Sequence, residues 1–432
     1  MFSKTYPATP ILFVDAGDFT GDPTPQGRMQ TDALIEGMNA LGYKVSNLSL
    51  RDLAHGYDAF LERQKKAHFE FVSANIVWKA TGEPVAAPTT VVKTTVRDGA
   101  RIKEVRIGFI GLTRHDPAFL KEVAGGRSIV TIDPLVAVEK RAPALRQKAD
   151  VIVALVAMDL EQARQLPKKA REIDLVLGGD STPGRTSTQT RTDDFPEDTQ
   201  IGRARVLYAG DQGKVLGEVR LFFDDKKAIA STQRTLVGLT REWPDDPGLA
   251  KIQETVKVAI NDYNKTQTES QSPFAPAGTP APPSSPPPRT STGKLPLAAA
   301  LAQPLTYTGS DRCAPCHEQA FAVWAKSGHA HAFQTLIANK QEYNPQCLGC
   351  HTIGYGLSHG YLSPLATPLL VNVGCESCHG PSNRHPDQIQ QGFGRTDTSF
   401  CVTCHSAENS PDFKPAEYIP KVKHWDDQRA RR

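Results

Sequence analysis

The first 312 residues of this 432-residue chain contain no cysteine. That absence excludes a disulfide framework and a thiolate metal site over the whole stretch. No apolar run is long enough to span a bilayer; the most lipid-like segment, "LPLAAALAQPL" at 295–305, is short and broken by proline. The opening "MFSKTYP" lacks the charged start and apolar stretch of a secretory signal. Charge of one sign is also missing: Lys plus Arg number 50 against 47 for Asp plus Glu, a formal +3, with no long basic or acidic run. Binding to nucleic acid and an acidic tail are excluded on that ground.

What is present falls into three parts, as a chain too long for one ordinary core requires. Residues 1–262 alternate strand-like runs ("ILFVDAGDF", "RIGFIGL", "VIVALVAM", "IDLVLGG") with helix-like ones ("TDALIEGMNALG", "KKAREI"), which predicts an α/β domain. Within it, "RVLYAGDQGKVLGEVRLFFD" predicts two strands joined by a glycine turn and paired antiparallel. Residues 263–304 turn to Pro, Ser, Thr and Ala, too polar to offset their ordering entropy, and read as a linker. Residues 305–432 hold every cysteine and nine of the twelve histidines. Long aliphatic runs are gone there, so the segment is predicted to be mostly α and loop-rich, and to need staples or cofactors to fold.

The eight cysteines form four pairs, Cys313/Cys316, Cys347/Cys350, Cys375/Cys378 and Cys401/Cys404, each followed at once by His317, His351, His379 or His405. One such Cys-x-x-Cys-His is expected by chance on the order of 0.004 times at this composition. Two thiols at that spacing add to the vinyl groups of one haem, and the adjacent imidazole then lies under the iron as proximal ligand. Four c-type haems are therefore expected. Zinc ribbons use paired Cys-x-x-Cys but have no need of a histidine after every pair, and structural disulfides impose no such spacing.

Five further histidines in this part, His329, His331, His359, His385 and His424, are candidates for the sixth position on an iron. Residues 305–425 resemble the small tetrahaem cytochrome c family (cytochrome c-552/4-like) that includes carriers of electrons from hydroxylamine oxidation. "WAKSGHAHAF" at 324–333 is similar to the family's Trp-x-x-Ser-x-His-Ala segment, "CESCHGPSNRH" at 375–385 to its Cys-His-Gly-Pro segment with trailing histidine, and "PKVKHW" at 420–425 to its terminal histidine. The resemblance implies His329, His385 and His424 as distal ligands. The fourth distal ligand stays open between His331, His359 and none: His329 and His331 point to opposite sides of an extended segment, and an iron lacking a sixth ligand is open to a small molecule. His385 follows His379 by six residues and is expected to cross to a neighbouring haem.

Residues 10–223 resemble the calcineurin-like metallophosphoesterase domain of the 5′-nucleotidase family, an α/β sandwich of two sheets flanked by helices. "LFVDAGDF", "MNALGYKVSNLSLRDLAHG", "FVSANI", "RIGFIGLT", "DVIVALVAMDL" and "IDLVLGGDST" follow the family's strand ends in order. Phosphoester hydrolysis there needs two metals held by carboxylate, asparagine and histidine. Asp18 fits the bridging aspartate. Leu50 and Arg51 stand where the family has Asn and His, Ala157 where it has His, and Asp180 and Thr182 where it has the last two His. Leu and Ala have no donor and Arg brings a fixed positive charge. No binuclear divalent site and no catalytic residue are expected, and Asp18 and Asp180 read as polar strand-end residues satisfied by backbone or water. His55, His68 and His115 read as surface or packing residues.

The expectation is an electron carrier exported to the periplasm or cell surface, its partners being redox proteins or an extracellular acceptor. Haem attachment implies export, so a signal peptide and the family's first strand are expected upstream of Met1, or the product is processed. The rivals are a reductase or oxidase of a small nitrogen or oxygen species at a five-coordinate haem, an active phosphohydrolase with attached haems, and a front domain that docks a nucleotide or protein.

Overall fold

The computed structural model describes residues 9–98, 101–179, 198–209, 213–240, 242–270, 307–382, 398–406 and 409–424. The chain divides into two compact units, Met1–Gln253 and Glu254–Arg432.

The first unit is built on "VIVALVA". All seven residues of the strand Val151–Ala157 are buried, which is why the run is continuously apolar rather than alternating. Ile152, Ala154 and Val156 face Ala137, Val138 and Leu145 of the helix Pro134–Arg146, whereas Val151, Val153 and Leu155 face Val45 and Val72 of a second sheet. The period of two along the strand thus feeds two cores. Around it the six-stranded sheet runs Thr199–Ile201, Ala204–Tyr208, Leu175–Gly179, Val151–Ala157, Arg101–Thr113, Thr89–Asp98. The inner four strands are parallel and the outer two antiparallel.

The second sheet is parallel, Val14–Asp15, Val45–Asn47 and Glu70–Val72, and packs through Phe71 on Ile35, Met38 and Phe60 of the helices Pro25–Leu41 and Tyr57–Lys66. Helix, sheet, sheet, helix is the α/β sandwich expected from the sequence. A Cβ on Gly111 would stand 2.2 Å from the Val72 carbonyl oxygen, so the approach of the two sheets requires glycine at that point. The helix Pro25–Leu41 starts on Thr24, whose hydroxyl accepts from Gly27 N, and stops at Gly42 in the left-handed region.

One expected pairing is corrected. Ala204–Tyr208 does not pair with Val215–Phe223 but lies parallel to Leu175–Gly179, while Val215–Phe223 pairs antiparallel with Ile229–Gly238. The tighter turn wins: Asp224 Oδ1 accepts from Lys226 N at 2.9 Å and Ala228 N at 2.8 Å, and Lys227 takes φ 62°.

In the second unit, the C-terminal part of the helix Pro247–Ser270 is tied to the loop before the second cysteine pair. Asn261 Nδ2 donates to Glu342 Oε1 at 3.2 Å and Asn261 Oδ1 accepts from Tyr343 N at 3.0 Å. Residues 263–270, read as the start of the linker, continue this helix; the rest of the linker, 271–304, lies outside the described residues. The unit is otherwise short helices and turns around a small core of Phe333, Leu336, Leu348, Ile353, Tyr361 and Leu370.

Candidate functional site

Each Cys-x-x-Cys-His forms one helical turn. Cys347–His351 closes the helix Pro345–His351, and Cys375–His379 is itself a helix. In the other two, His317 N donates to the Cys313 carbonyl and His405 N to that of Cys401, both at 2.9 Å. A turn of this kind brings the two thiols to one face, with the imidazole one step beyond. The turns also approach one another: Cys313 lies against Cys375, Cys350 against Cys404, and Cys378 within electrostatic reach of Cys401 and Cys404.

All eight cysteines are free thiols, as attachment to a cofactor requires, and six of them are half-buried. Cys316 does not match its partner in depth. It is exposed, whereas Cys313 beside it is half-buried against Cys375. The first turn sets its Cys313 side against the third, which leaves Cys316 and His317 at the surface. Cys378 is exposed as well. Thioether formation needs a reachable sulfur rather than a buried one, so exposure is compatible with attachment at both.

Four of the predicted ligand histidines meet in two pairs. The ring centroids of His329 and His405 are 6.0 Å apart, and those of His379 and His424 are 5.8 Å apart. His405 also stacks on Phe413 at 4.3 Å and 13°. Its Nδ1 lies 3.0 Å from Ser410 Oγ, His351 Nδ1 2.7 Å from the Ala332 carbonyl, and His424 Nδ1 2.8 Å from that of Val422. Burial, and for His329 the neighbouring His405, hold the pKa values of His329 and His405 below the ordinary imidazole value, favouring the neutral ring. His317, His331 and His359 are exposed. Gly328–His331 is a 3-10 turn rather than the extended segment expected, so His329 faces inward while His331 faces solvent. His385 lies outside the described residues.

The Trp-x-x-Ser-x-His stretch is a brace. Trp324 Nε1 donates to the Val373 carbonyl at 2.8 Å, Ser327 Oγ to the Trp324 carbonyl at 2.6 Å, and Val373 N to the His329 carbonyl at 3.1 Å. His329 is thereby fixed to the chain just ahead of Cys375.

In the first unit the ends of the strands Val14–Asp15 and Val45–Asn47 bring Asp15, Asp18 and Asp52 together. Asp18 has φ 66°, and its Oδ1 accepts from Ser49 Oγ and, at 3.4 Å, from Arg51 N. Asp52 is buried and accepts from Thr20 N and Oγ1 at 3.2 and 2.8 Å, Asp18 N at 3.1 Å and Ser49 N at 2.9 Å, while Ser49 Oγ, 2.8 Å away, shares its single proton between Asp52 and Asp18. Burial and the Asp18 charge raise its pKa to about 6 against those bonds. Burial likewise raises Asp15, whose Oδ1 accepts from Gly17 N and Ser46 Oγ at 2.8 and 3.0 Å. Arg51 turns its guanidinium to the Thr20 carbonyl at 2.7 Å and to Asp22 at 3.2 Å. Leu50 is spent in the apolar core and Ala157 is buried at its strand end.

Residues 312–380 match the family model described as "Cytochrome c554 and c-prime". Cytochrome c-554 of Nitrosomonas europaea is 34% identical over 96 residues, 19% of this chain and 41% of that protein. The front of the chain is 25% identical to the 5′-nucleotidase of Bos taurus over 264 residues, 59% of this chain and 45% of that enzyme. Among solved structures, a calcineurin-like phosphoesterase, YfkN, from Bacillus subtilis superposes with a TM-score of 0.49 at 20% identity, covering 61% of this chain and 87% of that one. A cytochrome c554-like region follows a 5′-nucleotidase-like one. The chain spans less than half the length of either curated relative.

The cytochrome c554-like region fits c-type haem. Metal–imidazole bonds of about 2 Å on either side place two ring centroids about 6 Å apart, as in both histidine pairs. A hydrogen bond at Nδ1, as in His351, His405 and His424, is the usual arrangement of a histidine that ligates through Nε2.

The 5′-nucleotidase-like region does not fit a binuclear centre by its described residues. A carboxylate offers about four lone-pair sites, and the donors of Thr20, Asp18 and Ser49 on Asp52 use them up. Asp18 is the one donor left at the ligand positions described, where Leu50, Arg51 and Ala157 supply none. Asp180 and Thr182 lie outside the described residues. Sequence reasoning missed Ser49, Thr20 and Asp52 as the occupants of this corner; the acid at position 52, one step after Arg51, was the available signal. In the haem region it missed Phe413, Ser410 and Glu376.

Proposed function

We propose that this chain is an exported electron carrier with four c-type haems, attached at Cys313/Cys316, Cys347/Cys350, Cys375/Cys378 and Cys401/Cys404. The observation that carries the reading is the use of every cysteine in a Cys-x-x-Cys-His turn, with histidines from elsewhere facing two of the proximal rings. Bound haem supplies reversible one-electron chemistry at iron. The chain would contribute the ligands: His317, His351, His379 and His405 as proximal residues, with His329 serving the iron of His405 and His424 that of His379. His385, His331 and His359 remain for the irons of His317 and His351. Contacts between the first and third turns and between the second and fourth would bring their haems close in pairs, short steps for single electrons. The donor and acceptor would be redox proteins or an extracellular acceptor, and export follows from the chemistry of haem attachment.

The 5′-nucleotidase-like region retains its fold and has lost its hydrolytic centre, because Asp18 alone cannot hold two metals. The expected result is no nucleotide hydrolysis above background with manganese or cobalt. Metal-stimulated hydrolysis that disappears in Asp18→Ala would overturn this part of the reading and leave the haem reading untouched.

A further inference from the structure

Glu376, the second residue of "CESCH", is 4% exposed and accepts five hydrogen bonds inside the haem region. Thr308 N donates to Oε1 and Oε2 at 3.1 and 3.0 Å, Gly309 N to Oε2 at 2.8 Å, and Ser382 N and Oγ to Oε1 at 2.8 and 2.6 Å. Three of the four donor groups are backbone N–H, so the pocket is built for an acceptor-only side chain. Among the described residues no Lys, Arg or His forms an ion pair with it. A buried charge of this kind is costly and is retained only where its hydrogen bonds are complete.

Its position is specific. The donors come from the strip Thr308–Gly309, four residues before Cys313, and from Ser382, three beyond His379. Ser310 Oγ accepts from Cys375 N at 3.1 Å and extends the clasp to the third turn. A Cβ on Gly374 would stand 2.5 Å from Ser310 Oγ and one on Gly309 2.7 Å from the Leu369 carbonyl oxygen, so both glycines are required by the close approach. Cys313 lies against Cys375 beside this carboxylate.

We propose that Glu376 is an electrostatic positioning residue for the first and third haems, holding their attachment turns together and lowering their reduction potentials with its buried negative charge. The inference rests on the tetrahaem reading. Reduction adds one electron to a ferric iron, delivered by an external reductant, with no bond made or broken; a fixed negative charge nearby opposes it. One unit charge acting over about 10 Å at an effective dielectric of about 20 shifts an equilibrium roughly tenfold.

The test is a spectroelectrochemical titration of the holoprotein with haems counted by mass. Glu376→Gln keeps the volume and removes the charge. One or two of the four transitions are expected to move about tenfold toward the reduced form, about 59 mV for a one-electron couple, with the others unchanged and low-spin signals retained. Four attached haems with every midpoint unchanged would overturn the inference alone; fewer than four haems in the unmutated protein would overturn the tetrahaem reading instead. Should Glu376→Gln fail to mature, Ser382→Ala leaves the charge and removes a donor that spreads it. The same midpoints are then expected to fall, and an unchanged or raised value counts against the proposal.

Discussion

In the oxidised holoprotein, His329→Ala is expected to convert one haem from low spin to high spin while leaving four haems attached. The ring of His329 stands 6.0 Å from that of His405, the separation of two imidazoles on one iron, and its removal leaves the iron of the fourth cysteine pair with one protein ligand. Electron paramagnetic resonance reads the change as one haem equivalent. His331→Ala, two residues away on the solvent side of the same turn, is expected to leave the spectrum as it was. His424→Ala acts on a different iron, that of His379, so the double variant His329→Ala/His424→Ala is expected to show two high-spin haems. A His329→Ala protein whose irons all remain low spin would show that the pair does not share a haem.

The second large effect lies in the 5′-nucleotidase-like region and concerns pH. Burial and the Asp18 charge raise Asp52 from 3.8 to about 6 in the folded chain. With a raised folded pKa, the native state binds more protons than the unfolded one between these values, so this contribution to stability is fully present below about 4 and is lost as pH rises through about 6. A shift of about two units corresponds to about 3 kcal/mol across the window. Calorimetry of the full chain is expected to show the transition of this region moving down between pH 4 and 7, and Asp52→Asn to flatten that slope while losing hydrogen bonds at all pH. An equal slope in both proteins would show that Asp52 is not held as a raised, metal-free carboxyl.

Much of this was legible in the sequence, for reasons that differ by region. The run "VIVALVA" could only be a strand covered on both faces, and it is. The Cys-x-x-Cys-His turns are local, so their spacing carries their geometry. How deeply each thiol sits is not local: Cys313 and Cys316 share a turn, yet only Cys313 is drawn in against another turn. Partner choice is not local either: His329 and His405 meet across 76 residues, and nothing in the spacing distinguishes that pairing from others. The same limit hid the partner of Ala204–Tyr208, where a four-residue turn at Asp224–Lys227 outcompeted a glycine turn. Glu376 looks like any surface acid within a tetrapeptide, and its role emerges only when Thr308 and Ser382 close on it. In the first unit Leu50, Arg51 and Ala157 are readable letter by letter, whereas the hydroxyl and carboxylate network around Asp52 is a property of folding.

The eight cysteines are expected to carry haem, one group on each pair. Intact mass of the exported, purified protein, with a haem stain on the denatured chain, tests it most directly. Four covalently attached haems are predicted, one for each of the four cysteine pairs. A mass corresponding to fewer than four, or to zinc in place of haem, would contradict the account.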